Sequence, residues 1–460
     1  MSVMLDNPDV DVVGVNESER QLFLMRSAVG PDNGQAGVKP AFGRTRLDRR
    51  SPRASAAVAR VLALVFLMAS LSTCGEAMPS EPLKLGLLTY ISAGSHQNAQ
   101  DRQRAFHLAV AHLNQAGGVF GRPVQAAVGD TALDPDTAVA EARRLIEDEG
   151  VHALVGPSTS ANALPVAEGV AGPARVPLIS PSATSPSLTD AEDDDFFFRA
   201  ALSDLAQGPV LARIARQRGF DNVGLIYRND LWGQGLARAF EGAWDGGVRS
   251  VASEPGQTGL ADALRKTAAG GAQALVVILF QAEAITAVRE ALDHGVYDQF
   301  VLGDALKNTE LIEAIGTDAL AGTYGAGTAV PPDSRSSSAW MAAWLDAYGE
   351  PPRGSYVREV YDATIALALA AQAANGTDGA AIRDQLRSIG VAPGESVVAG
   401  PDGVAEALET LADGGEVIYQ GASGTLDWNA DGDLAQGHVG IWRFTADGQI
   451  EDLEAVPYRN

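Results

Sequence analysis

The sequence predicts an α/β protein made of two lobes, each built on a mostly parallel sheet. Three observations carry that expectation. From Leu83 onward, short apolar runs of strand length alternate with amphipathic stretches of helical period. The alternation comes in two series, one running to about residue 201 and a second starting near Leu205. At 460 residues, the chain also exceeds the roughly 250–300 residues at which a single core stops growing.

In the first series, Leu83–Leu88 (LKLGLL) reads as a strand. Asp101–Gln115 follows as a helix, with Ala105, Phe106, Leu108, Ala109 and Leu113 at helical spacing and Gly117-Gly118 as its stop. Val124–Val128 is a strand, Thr137–Glu149 a helix, His152–Val155 a strand, and Val176–Ile179 another behind a Gly-Pro break. The acidic run Asp190–Asp195 reads as a solvated loop before a strand at Phe196-Phe197-Phe198. The second series reads helix 209–218, strand 223–227, helix 233–244, strand 274–280 (ALVVILF), helix 282–294 and strand 300–302. Residues 326–333 look like a crossover between lobes. Helices 337–348 and 356–374 follow, and a β-rich stretch over 417–444 straddles both lobes.

The formal charge of -24 argues against a nucleic-acid partner, which requires clustered Lys and Arg. The one cysteine, Cys74, rules out a disulfide within the chain. It follows an arginine-rich segment (Arg44 to Arg60), the apolar run VLALVFLMASL, and Ser72-Thr73. That order is a secretory signal, and its apolar core is too short for a bilayer span, which needs about 20 residues. Leu71-Ser72-Thr73-Cys74 resembles a bacterial lipobox, making Cys74 the expected lipidation site. A signal this far inside the chain suggests that translation starts later than Met1. The expected leader is 1–73, with 74–82 as a tether.

The stretch VGPSTSANALP (155–165) places three hydroxyls between a strand and a helix start. In α/β folds, ligands sit beyond the carboxyl ends of strands, where helix N-termini present unpaired N–H groups to an anion. Ser160 is either a helix N-cap or a contact to such an anion; Ser158 and Thr159 read as turn residues. A serine hydrolase would need a G-x-S-x-G elbow and a histidine partner. Gly156-Pro157-Ser158-Thr159-Ser160 lacks the second glycine, and no histidine stands in a triad context. No G-x-x-x-x-G-K-[ST] occurs. Asp427-x-Asn429-x-Asp431-Gly432-Asp433 has the first half of a calcium loop, but His438 stands where the closing Glu belongs, so a hairpin turn is expected. No catalytic residue, cofactor or metal site is therefore expected.

Taken in order, several pieces resemble one family. They are Leu83-Lys84-Leu85-Gly86, the Asn114-Gln115-Ala116-Gly117-Gly118 helix end, Asp130 with Asp134-Pro135, the 155–165 stretch, and ISPSATSPSLT (179–189). Arg199 with Asp204 and Gln207-Gly208, Trp232-Gly233-Gln234-Gly235, and GTLDWNADGD (424–433) complete the series. The sequence resembles the periplasmic substrate-binding proteins of branched-chain amino acid type ABC transporters, the leucine/isoleucine/valine-binding family with the type I periplasmic binding fold.

That resemblance implies two Rossmann-like lobes joined by a three-segment hinge, with 83–201 plus 331–424 as lobe 1 and 202–330 plus 425–460 as lobe 2. It implies that Ser160, Ser182 and Thr184 hold the carboxylate of a small ligand. Asp304, one residue before the strict position at Ala305, is the expected partner of its ammonium. Trp232 and Tyr356 are the expected aromatic walls, and Asn98 stands where the family often has an aromatic. The implied protein is a lipid-anchored periplasmic or extracytoplasmic receptor that closes on an amino acid or related small carboxylate and presents it to ABC permease subunits. The alternative is a sensor of the same fold that signals to a partner protein.

Overall fold

The computed structural model describes residues 81–460. The leader, Cys74 and the tether up to residue 80 lie outside the described residues. The first sheet has five parallel strands: β1 (Lys84–Thr89), β2 (Gln125–Asp130), β3 (Ala153–Val155), β4 (Leu178–Ser180) and β5 (Phe197–Arg199), in the order β2-β1-β3-β4-β5. Their crossovers carry helices α1 (His96–Gln115), α2 (Pro135–Arg143) and α3 (Ser160–Val166). The inner strands β1, β3 and β4 are buried almost throughout because both sheet faces are covered. Successive side chains serve opposite cores: Leu85 and Leu87 enter one cluster with Ala153 and Val155, while Leu88 and Leu154 enter the other.

The second lobe repeats the scheme. It contains α4 (Asp204–Gln217), β6 (Asn222–Arg228), α5 (Leu231–Ala243), β7 (Gly247–Ser253), α6 (Ala261–Ala268), β8 (Ala274–Ile278), α7 (Gln281–Asp293), β9 (Phe300–Leu302), α8 (Glu310–Ile315), α9 (Thr317–Leu320) and β10 (Tyr324–Thr328). Every residue of β8 is buried; Ala274, Val276 and Ile278 face one core, Leu275 and Val277 the other. The chain then returns to the first lobe for α10 (Arg335–Tyr348), α11 (Val357–Ala374), α12 (Gly379–Ile389), β11 (Glu395–Val398), α13 (Pro401–Ala412) and β12 (Val417–Gln420). It crosses a last time into β13 (Gln436–Phe444) and β14 (Ile450–Arg459), which add antiparallel strands to give the order β14-β13-β10-β9-β8-β6-β7. Among the described residues, no helix is long and apolar enough to cross a membrane.

The structure departs from the sequence expectations in instructive places. Helix α1 starts five residues before the expected Asp101, capped by Ser95, whose hydroxyl accepts the Asn98 N–H at 3.2 Å. That polar first turn carries no apolar signal, yet it delivers Asn98 and aims Arg102. Strands β7 and β14 were not expected from the sequence, because both are sheet edges with mostly exposed or half-buried side chains. An edge strand needs no continuous apolar run. The expected lobe boundary at residue 425 also shifts. Leu426, Trp428 and Leu434 pack into the first lobe's core, so the last crossing lies at about residues 434–436.

One buried ion pair fixes that crossing. Arg199, at the end of β5, is fully buried, and its Nε donates to Asp433 Oδ1 at 2.6 Å. Its Nη1 donates to the Ser185 carbonyl at 2.8 Å and its Nη2 to Thr189 Oγ1 at 2.9 Å. The 427–433 loop is shaped by its own bonds as well, with Asn429 Oδ1 accepting the N–H groups of Asp431 and Asp433. Removing one member of a buried pair strands the other charge. Asp433→Ala is therefore expected to lower unfolding free energy by about 3–5 kcal/mol, read from denaturant titration.

Candidate functional site

The carboxyl ends of both sheets face a chamber between the lobes. The chamber has about 50 Å³ of internal room and is lined by segments from each side. From the first lobe come the turn after β3, the loop after β4, the start of α1 and the turn before α11. The second lobe contributes Trp232, Phe280, Gln281 and the turn after β9.

The hydroxyl wall is tightly wired. Thr159 occupies the N-cap position of α3 and makes no side-chain cap bond; Ser160 is the first helical residue, not the cap. Ser160 Oγ instead accepts the Ser185 N–H at 3.1 Å, which leaves its own proton to donate. The first intrahelical acceptor bonds start at Asn162 N, so the N–H groups of Ser160 and Ala161 precede them, as at any helix start. Ser182 also lines the chamber, but its hydroxyl donates to the Ser158 carbonyl at 2.7 Å. Its proton is thereby engaged, and only its backbone N–H remains as a donor. Thr184 is set apart from these two. Its buried Oγ1 has no hydrogen-bond partner, and it borders a second, larger chamber of about 680 Å³ on the hinge side.

The acidic wall is Asp304, in the turn after β9. It is 3% exposed; Oδ2 accepts a short hydrogen bond from the Tyr356 hydroxyl, and Oδ1 has no partner. Burial pushes the Asp304 carboxyl above its ordinary range. Nearby Asp204 is raised well above its own by burial and by the Asp304 charge. Asp204 Oδ1 accepts from Gln207 at 3.1 Å, and Oδ2 is unpartnered. Among the described residues, neither carboxylate has a cation in ion-pair contact, so this wall favours either a retained proton or an arriving positive charge.

Trp232 supplies an apolar wall by stacking on Phe280, with ring centroids 4.9 Å apart and planes at 16°. Arg228 covers the Phe280 ring at 4.6 Å and is held by Asp230 and Glu283. Asn98 has a positioning role: its Oδ1 accepts the Ser355 N–H at 2.8 Å. Asp101 Oδ2 accepts the N–H groups of Arg353 and Gly354. These bonds set the turn in which Tyr356 adopts a left-handed φ of 61°. Six of the seven expected residues thus share one chamber, and Thr184 does not. Sequence reasoning missed Tyr90, Arg102, Phe280, Gln281 and Ser355. Arg102 had a readable signal, since it falls four residues after Asn98 and on the α1 stripe that continues through Ala105, Phe106 and Ala109.

A bond pair ties the lobes beside the chamber. Glu310, at the start of α8, accepts the Ser95 hydroxyl at 2.8 Å and the Gln97 N–H at 3.0 Å. Ser185 Oγ reaches across to the Leu231 carbonyl at 2.9 Å.

Comparison with known proteins agrees with this architecture. A family model described as periplasmic binding protein matches residues 82–407. A chemotactic signal transduction substrate-binding protein of Halobacterium salinarum is 28% identical over 396 residues, covering 84% of this chain and 89% of its own. The leucine-, isoleucine-, valine-, threonine- and alanine-binding protein of Pseudomonas aeruginosa is 26% identical over 337 residues, covering 72% and 88% respectively. Among solved structures, a branched-chain amino acid transporter substrate binding protein of Streptococcus pneumoniae, in complex with isoleucine, shares the fold. Its TM-score is 0.69 at 23% identity, over 83% of this chain and 100% of that one.

On the hinge-side chamber, Glu359 is buried. Burial raises its carboxyl to about 7, against the pulls of Arg358 and Lys307 and with the push of Asp362. The fold therefore prefers the protonated form, and this group's contribution to stability falls as pH rises from its unfolded value through about 7. Relative to Glu359→Gln, the wild type should lose on the order of 3 kcal/mol between pH 4.5 and pH 8, measured by denaturant titration at both pH values.

Proposed function

The chain belongs to the periplasmic binding protein family, and we propose that it is the extracytoplasmic receptor of an ABC importer for an amino acid or related small carboxylate. The observation that carries this reading is a chamber lined by both lobes, with hydroxyl and N–H donors from one and a buried acid from the other. Ser160 keeps a hydroxyl proton for a carboxylate, beside the N–H of Ser182 and the α3 start. Neutral donors at a helix start hold an anion without burying a full positive charge beside it. Asp304 faces the same space from the other lobe with one unpartnered oxygen, which suits an ammonium. The names of the Pseudomonas relative and the Streptococcus complex support an amino acid ligand.

In this reading the first lobe captures the carboxylate, and hinge closure brings Asp304 and the Trp232–Phe280 wall over it. No bond is made or broken. Cys74 would carry the lipid that keeps the receptor beside its permease. The Halobacterium relative, named for chemotactic signal transduction, favours a second reading in which the same closed form signals to a partner protein.

Calorimetry against amino acids and small carboxylates tests the proposal; absence of any binder overturns it. For a ligand so found, Ser160→Ala should weaken binding by about 1–3 kcal/mol, and unchanged affinity would remove Ser160 from the site. Glu310→Ala removes the tie across the lobes to Ser95 and Gln97. It should speed ligand release roughly tenfold or more, given about 1.5–3 kcal/mol for hydrogen bonds to a charged group, as read by stopped-flow Trp fluorescence.

A further inference from the structure

We infer that the ligand carries a second carboxylate, held by Arg102, so that the chamber takes a short acidic amino acid. This rests on the reading of the chamber as an amino acid site and narrows it to one class.

Arg102 projects from α1 into the chamber and is 3% exposed. Its one hydrogen bond runs from Nε to the Ser355 carbonyl at 3.2 Å, and Nη1 is buried without a partner. The guanidinium lies over the rings of Tyr90 and Tyr356, 5.2 and 5.8 Å from their centroids. Among the described residues, no carboxylate forms an ion pair with it: neighbouring Asp101 is committed to Arg104 and to the N–H groups of Arg353 and Gly354. A buried guanidinium with one neutral acceptor is expensive to maintain, and it has the planar fork that matches a carboxylate.

Gln281 brings further unsatisfied polar atoms to the chamber from the second lobe. It is 7% exposed, and both its Oε1 and Nε2 are buried without partners. Arg102 and Gln281 lie on elements separate from the Ser160–Ser182 wall and from Asp304. The chamber thus offers three polar stations: hydroxyl and N–H donors, an acid, and a cationic donor. Two carboxylates and one ammonium on a single small molecule satisfy all three. A branched apolar side chain would instead leave Arg102 buried and unpaired. Room of about 50 Å³, where one water needs roughly 10–15 Å³, favours the shortest members of the class.

The full chain would be titrated by calorimetry with L-aspartate, L-glutamate, their amides asparagine and glutamine, L-alanine and L-leucine. One acidic amino acid should bind at least about tenfold more tightly than either amide, alanine or leucine. Arg102→Met should weaken that acidic ligand by roughly 100-fold or more, with partial recovery in Arg102→Lys. Preference for leucine, alanine or an amide would overturn the Arg102 assignment and leave the amino acid receptor standing. Acidic-ligand affinity unchanged in Arg102→Met would do the same. If none of the six binds, the acidic class fails, and the wider carboxylate panel decides whether the receptor reading fails with it. The wild-type ranking needs no variant, so a poorly folded Arg102→Met would not rescue the idea.

Discussion

The buried pair of Arg199 and Asp433 is the constraint from which the site is built. A guanidinium with no solvent access must have its donors answered from all sides, and here the answers come from two segments. Asp433 fixes the last crossing, while Ser185 and Thr189 fix the loop after β4. The backbone carbonyl of Arg199 accepts the Trp428 indole N–H at 2.7 Å, and the Arg199 N–H donates to the Gly432 carbonyl. Once Ser185 is placed, its N–H holds Ser160 Oγ and its hydroxyl holds the Leu231 carbonyl at the start of Trp232's helix. One ion pair in the first lobe therefore reaches both the hydroxyl wall and the aromatic wall of the chamber.

Much of this architecture was legible because parallel sheets covered on both faces demand unbroken apolar runs such as ALVVI in β8. Edge strands β7 and β14 escaped, since pairing on one side needs no such run. The site was partly legible for a related reason: strand ends and helix starts mark where loops gather, and the hydroxyls at 158–160 sit at one such place. Sequence spacing could not say which hydroxyl protons were already engaged. Ser182 donates to Ser158, and Thr184 borders the hinge-side chamber, although both lie in the same loop. Nor did composition separate Arg102 from the many solvated arginines; only its position on a buried stripe does that.

The electrostatics of the chamber follow from what each wall lacks. Burial raises the proton affinity of Asp304, and burial together with the Asp304 charge raises that of Asp204, while Arg102 lines the chamber from another element without a carboxylate partner among the described residues. These charges are held apart by the framework: Tyr356, between them, contacts Arg102 with its ring and Asp304 with its hydroxyl. A zwitterion bridging the walls would stabilise both at once.

Tyr356 also explains why closure and recognition are one event. Its left-handed backbone, φ 61°, is uncommon for a bulky residue and costs on the order of 1–3 kcal/mol. The first lobe alone enforces that geometry, through Asn98 and Asp101 gripping the turn at 353–355. The return comes from the second lobe, because the hydroxyl's partner is Asp304. Opening the cleft would separate that pair and expose a carboxyl whose proton affinity burial had raised. The lobes are thus coupled through the same acid that faces the ligand, so whatever charge occupies the chamber bears directly on how firmly the two halves stay closed.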